Sequence, residues 1–214
     1  MDISPEMVVT TEEPYHEGVV TMEHKLAIMS LIHENDIQGV RKLLHVNVNL
    51  LGVEVKYGKM LMTPIHYAIW LTATNIIDII LEANSFYCGD CLKAIDNKGR
   101  TPLHIAVLLG YNFSRFFEHI PNKGKSYVDA CDEMWRTPLF YAVARLNGHL
   151  HTNPNDINAR EDMNAHDSVQ LLLSYGANPD TQSVCGVSSM FTNIRVREEV
   201  IIDRILEMRM KDKR

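Results

Sequence analysis

The chain has 214 residues, ample for a core, and 46% of them are hydrophobic, ordinary for a soluble protein. Its formal net charge of −6 leaves no basic face to displace counterions from phosphates, which argues against bulk nucleic-acid binding. Asp2, Glu6, Glu12, Glu13 and Glu17 stand where a secretory leader would carry basic and then apolar residues, so none is expected.

Residues 1–21 lack hydrophobic periodicity and are expected to form a mobile acidic tail. The most apolar stretch, 60–81, is interrupted by Pro64, His66 and Asp78 and is not expected to span a membrane. Within it, Thr63-Pro64 predicts a helix start. The threonine hydroxyl can accept a bond from an orphan backbone N–H, and proline at the first helical position lacks an N–H that would be unpaired anyway. The same pair recurs at Thr101-Pro102 and Thr137-Pro138. Ala68, Ala106 and Ala142, five positions after each threonine, permit close approach of a neighbouring helix. A second apolar helix is predicted after each start. Ile76, Ile77, Ile80 and Leu81 mark the first, and Phe113, Phe116, Phe117 and Ile120 give the second an i, i+3, i+4, i+7 stripe. Val169, Leu172 and Leu173 mark the third, which ends at Gly176, a natural C′ residue. The polar stretch 147–165, with Asn147, Gly148, Asn153, Pro154, Asn155 and Asp156, reads as loop. Residues 209–214 form a small basic end. Internal repetition of this kind points to stacked supersecondary units, which usually bind proteins and rarely perform chemistry.

The stretch Asp96-Asn97-Lys98-Gly99-Arg100-Thr101-Pro102-Leu103-His104-Ile105-Ala106 resembles the opening pattern of the ankyrin repeat. Leu171-Leu172-Leu173-Ser174-Tyr175-Gly176-Ala177-Asn178-Pro179-Asp180 resembles its closing pattern. The resemblance covers roughly residues 22–208. It implies an all-α ankyrin-repeat solenoid of about five repeats, each helix-turn-helix plus loop or hairpin, with degenerate end repeats. The repeats fall at about 22–55, 56–95, 96–131, 132–183 with an insertion at 147–165, and 184–208. They lie between the tail 1–21 and the basic end 209–214. Residues 26–33 and 35–44 would form the helices of the first repeat, and Ile201, Ile202, Ile205 and Leu206 would fill core positions of the fifth.

The resemblance also implies roles for individual residues. Thr63, Thr101 and Thr137 are structural, and His66 and His104 are structural bridges to backbone groups. Phe140 stands where a third histidine would, so no bridge is expected there. The variable contact positions of the family fall on Lys59, Met60, Met62 and Trp70, then Asn97, Lys98, Arg100 and Leu108, then Glu133, Met134, Arg136 and Arg145. Such a face would be locally basic and apolar. Its expected partner is a protein with an acidic segment carrying one or two apolar anchors.

Chemistry finds little support. Cys88-Gly89-Asp90-Cys91 is a C-x-x-C that could serve as a redox pair or half a zinc site. No βαβ pattern surrounds it and no second C-x-x-C completes four ligands, so ordinary loop cysteines are expected. His149, His151 and His166 lie in or beside the insertion and read as solvated loop residues. No nucleophile elbow is present. The expected function is a non-enzymatic protein–protein interaction module, an inhibitor or adaptor of a regulatory protein. It would be a monomer without cofactor or metal, in the cytoplasm, with the nucleus also open. Three alternatives stand: the substrate-receptor part of a ubiquitin ligase, if the chain is a fragment, a metal or redox protein using Cys88 and Cys91, or a purely structural scaffold that spaces other proteins.

Overall fold

The computed structural model describes residues 18–120, 124–146 and 165–178. Among these the protein is mostly helical, with eight α-helices and one two-stranded hairpin. Helix α1 (Met22–His33) starts at Thr21, whose hydroxyl accepts the His24 N–H at 3.2 Å. Helix α2 (Ile37–Val46) is capped by Asp36, whose carboxylate accepts the Gly39 N–H at 2.9 Å. A 3-10 turn, Val48–Gly52, leads into strands β1 (Val55–Tyr57) and β2 (Met60–Met62), paired antiparallel with Val55 opposite Met62. Helices α3 (Pro64–Trp70) and α4 (Thr74–Asn84) follow, then a 3-10 turn at Cys91–Lys93. Helix α5 (Pro102–Leu109) leads through a 3-10 segment, Ser114–Glu118, to the single turn α6 (Lys125–Val128). Helices α7 (Pro138–Leu146) and α8 (Ala165–Ser174) complete the described chain.

The helices opened by Thr-Pro pack on one another in chain order. α1 packs on α3, α3 on α5 and α5 on α7, while α2 packs on α4 and α7 on α8. Ala68, Ala106 and Ala142 are fully buried on α3, α5 and α7, where a larger side chain would hold neighbouring backbones apart. Behind them, Arg41 on α2 pairs with Glu82 on α4 at 3.2 Å, and Arg115 pairs with Asp78 on α4.

Four helix ends share one C-terminal turn. The N–H of Asn35, Thr72, Gly110 and Gly176 meets the carbonyl three residues back, at Ile32, Ile69, Val107 and Leu173. The next N–H in each case meets the carbonyl five residues back, at Leu31, Ala68, Ala106 and Leu172. This is the Schellman pattern, which demands a positive φ at the turn residue. Asn35 (54°) and Thr72 (53°) adopt it as well as the two glycines. Gly176 therefore ends its helix as the sequence predicts, and Thr72 does so without the usual residue type.

Three loop tips are joined in a row by backbone bonds. Asn97 N–H donates to the Leu61 carbonyl at 3.2 Å, and Glu133 N–H donates to the Lys98 carbonyl at 3.1 Å. The Asn97 amide also donates to the Lys59 carbonyl at 2.9 Å.

The stripe Phe113, Phe116, Phe117 and Ile120 is buried, but it is not carried by an α-helix. Gly110 has closed α5 and Pro121 follows closely, leaving room for one 3-10 segment. In a 3-10 helix residues three apart eclipse, so Phe116 and Phe117 point to different sides of the segment, and both are buried. The Asn112 side chain accepts the Ser114 N–H at 3.1 Å and starts the segment. At the other end of the chain, Gly18 N–H donates to Asn47 Oδ1 at 3.2 Å and the Asn47 amide donates to the Val19 carbonyl at 3.3 Å. The final residues of the expected tail are thus held to the α2 end. The remainder of that tail (1–17), the insertion at 147–164, the fifth repeat (184–208) and the basic end (209–214) lie outside the described residues. No described helix is long and apolar enough to cross a membrane.

Gly99 has φ +70°, and a Cβ there would lie 2.8 Å from the Glu133 backbone nitrogen of the next tip. Gly99→Ala is expected to destabilise by about 1–3 kcal/mol in denaturant unfolding, since both the backbone conformation and the close approach exclude a side chain.

Candidate functional site

The loop 96–100 is organised by one carboxylate. Asp96 Oδ1 accepts the N–H groups of Lys98 and Arg100, each at 2.9 Å. Its Oδ2 accepts Nε and Nη2 of Arg100 at 2.8 and 2.6 Å. Burial alone would raise the Asp96 pKa, but the bonds from the Arg100 side chain, the Arg100 N–H and the Lys98 N–H outweigh it and hold the group below its ordinary value. The loop 132–136 repeats the construction. Asp132 Oδ1 accepts Met134 and Arg136 N–H at 2.8 and 2.9 Å, and its Oδ2 accepts Arg136 Nε at 2.8 Å and the Tyr141 hydroxyl at 2.7 Å.

Each loop is tied to the preceding helix by a buried histidine. His66 Nε2 lies 3.0 Å from the Arg100 carbonyl, and His104 Nε2 lies 2.9 Å from the Arg136 carbonyl. A carbonyl can only accept, so Nε2 carries the proton in both rings. Nδ1 is then an acceptor. Thr63 Oγ1 and Thr101 Oγ1 each lie 2.8 Å from Nδ1 of their histidine and donate to it, and Thr101 N–H adds a bond to His104 Nδ1 at 3.1 Å. Burial lowers the pKa of both rings to about 4, against the raising effect of the carbonyl bond, so both are neutral at physiological pH.

The expected capping role fails at Thr63, whose hydroxyl serves the histidine three residues on and makes no capping bond. At Thr101 the hydroxyl meets the His104 ring and also takes part in a capping box with His104. At Thr137, where Phe140 replaces the histidine, the hydroxyl accepts the Phe140 N–H at 3.3 Å.

The expected contact residues divide into two groups. Lys59, Asn97, Lys98, Glu133 and Met134 are exposed at the three joined tips, and Trp70 is 43% exposed at the end of α3. Met60, Leu108, Arg136 and Arg145 are partly buried. Met62 and Arg100, expected at the surface, are buried instead, Arg100 at 5% exposure. Met62 ends β2 with its side chain in the core, and Arg100 is consumed by Asp96. The expected basic character shrinks accordingly, because Arg136 is paired with Asp132 at 2.7 Å and Arg145 donates to the Val107 carbonyl at 3.1 Å.

One exposed residue escaped the register altogether. Trp135 sits two positions before Thr137, where Gly99 sits before Thr101. It keeps the glycine conformation, φ +58°, and is 62% exposed. A register that assigns glycine to this position gives no reason to look for an aromatic.

Cys88 is exposed while Cys91 is buried in the core beside Leu92, which corrects the reading of both as loop cysteines. The Asn84 side chain holds the Cys91 N–H at 2.9 Å. Burial pushes the Cys91 thiol far above its ordinary pKa, and Asp90 adds to this, so it supplies no thiolate at neutral pH. A shallow hollow of about 410 Å³ nearby is lined by Asn84, Asp90, Glu118 and Tyr127, with the Tyr127 hydroxyl donating to Asp90. Among the described residues no group of three or more His, Cys, Asp or Glu side chains could hold a metal ion. His149, His151 and Cys185 lie outside the described residues. No protein-family model matches the chain, and no curated protein matches it.

Stability is expected to depend on pH through His66 and His104. Their folded pKa of about 4 lies below the ordinary 6.5, so the unfolded chain binds more protons between these values. The contribution is complete above pH 6.5 and is withdrawn as pH falls toward 4, on the order of 1–3 kcal/mol per histidine. Asp96 and Asp132 have lowered pKa values and lose their contribution only below the ordinary carboxylate range. Unfolding midpoints measured from pH 7 to 4.5 should fall for the wild type and stay flatter for His66→Asn/His104→Asn. The cysteines should separate as well: Cys88→Ser stays within about 0.5 kcal/mol, while Cys91→Ser loses about 1–3 kcal/mol by placing a hydroxyl in the core. Equal effects at the two positions would contradict the burial difference.

Proposed function

We propose that the helix pairs are ankyrin-type repeats stacked as a solenoid, and that the protein is a non-enzymatic protein-binding module. Its contact surface is the row of loop tips together with the adjoining ends of α3 and α5. The observation that carries this reading is the repeated construction of the two loops. Asp96–Arg100 and Asp132–Arg136 have the same carboxylate, the same ion pair and the same histidine bond from the preceding helix. Such a construction sets a rigid backbone beneath the exposed side chains of Lys98 and Glu133. Rigid tips with exposed side chains suit recognition, because little conformational entropy is lost on binding.

The partner is a protein presenting carboxylates and apolar groups. The tips 56–59, 97–99 and 133–135 carry Lys56, Lys59 and Lys98 against Glu133 alone, within a chain of net charge −6. Trp70 and Met134 supply apolar area beside them. Inhibition or scaffolding of a regulatory protein is the role that fits a module of this kind.

The test is affinity capture with the whole chain, identification of the bound protein, and calorimetric titration of that protein after separate expression. Trp70→Ala and Lys98→Glu should each weaken binding by more than about 1 kcal/mol, while Glu82→Lys on α4 should not. A basic partner, or binding abolished by Glu82→Lys and untouched by the two tip variants, would contradict the reading.

A further inference from the structure

We infer that Trp135, with Met134 beside it, is the anchor that this protein inserts into an apolar pocket of its partner, a pocket bordered by carboxylates. The inference rests on the proposed binding role and reverses its geometry at one point: the knob belongs to this chain and the hole to the partner.

Four observations converge on it. The backbone of Trp135 has φ +58°, a region where a bulky L-residue is an outlier and glycine is the residue of choice. The equivalent loop position one unit earlier is Gly99, where the next tip passes within 2.8 Å of a built Cβ and excludes any side chain. At 135 the same left-handed backbone conformation carries a side chain in place of the bare glycine. The indole that occupies it is 62% exposed, and Met134 is 49% exposed next to it.

Neither exposure nor strain helps the fold. A bulky side chain in a left-handed conformation destabilises the loop, and an exposed indole gives back little burial. Function is the remaining reason for an aromatic here. Tryptophan is the residue most often found as an interface anchor, because it buries a large rigid area with few rotatable bonds. The loop beneath it is held by Asp132 through Met134 N–H, Arg136 N–H and Arg136 Nε, so the anchor is pre-positioned. Lys98 is exposed on the adjoining tip, its carbonyl bonded to the Glu133 N–H, and it selects a carboxylate for the pocket rim.

The test has two arms. In the first, thermal unfolding compares the whole chain with Trp135→Gly. The midpoint is expected to stay level or rise by about 2–4 °C as the strained conformation is relieved. A fall of more than about 4 °C would mean that the indole is part of the core, which overturns the inference. In the second arm a photo-reactive benzoylphenylalanine replaces Trp135 and the covalent adduct is mapped by mass spectrometry. An adduct within a concave apolar site of a second protein is expected. Recombinant samples of that protein should bind Trp135→Gly at least tenfold more weakly than the wild type. Attachment to the chain's own residues beyond 178, or Trp135-dependent sedimentation with anionic lipid vesicles and no protein adduct, would overturn it. Should Trp135→Gly bind the protein within twofold of the wild type while Trp70→Ala and Lys98→Glu lose binding, the anchor is misassigned and the binding role stands. Should none of the three variants affect binding, the binding surface itself is misplaced and the anchor falls with it.

Discussion

The bond from a buried neutral histidine to the carbonyl that ends the next loop is the interaction on which this structure depends. The Arg100 carbonyl accepts His66 Nε2–H at 3.0 Å and Asp96 N–H at 2.9 Å. The Arg136 carbonyl accepts His104 Nε2–H at 2.9 Å and Asp132 N–H at 3.0 Å. Both lone pairs of each carbonyl are thereby used inside the protein, where a missing partner is costly. The same two bonds close each loop on itself and fasten it to the preceding helix. Backbone position, loop shape and helix-to-helix spacing are consequently set at one point. The arrangement requires an uncharged ring, since Nδ1 must accept from threonine, and burial provides that condition.

Phe140 marks where the pattern stops. Without an imidazole at this position, α7 makes no bond of the kind that α3 and α5 make. Asp132 instead takes the Tyr141 hydroxyl from the same helix, and the Arg136 guanidinium lies 4.9 Å from the centre of that ring. The His104 ring meets Tyr141 edge-on, with centroids 5.7 Å apart. An aromatic and ionic cluster thus holds the last described loop from within. Its tip carries Trp135 in the backbone conformation that keeps Gly99 bare, and Trp135 and Met134 are both exposed there.

Much of the helix placement was legible because proline and threonine act locally. The pairs at 63, 101 and 137 placed the starts of α3, α5 and α7, and Gly176 placed the end after α8. What failed were features decided by packing. The phenylalanine stripe has the α-helical period, yet its centre is a 3-10 segment, because burial of the four side chains follows from their apolar character whichever helix carries them. The register marks Arg100 as a variable surface position, yet its side chain turns inward to Asp96 because the loop needs a charge partner there. Cys91 looked like loop because its neighbours Cys88, Gly89 and Asp90 are small or polar, while Leu92 draws it into the core. Trp135 was hidden for the opposite reason: its conformation obeys the pattern and its identity does not.

The central claim is that His66 and His104 are neutral, carry their proton on Nε2 and deliver it to the carbonyls of Arg100 and Arg136. Heteronuclear NMR of the imidazole nitrogens tests this most directly, because it distinguishes the two tautomers and the charged ring in one spectrum. The account predicts a protonated Nε2 and a bare Nδ1 for both residues at pH 7, with little titration above about pH 5, given a pKa lowered to about 4. A proton on Nδ1, or a titration midpoint near the ordinary 6.5 at either residue, would contradict it.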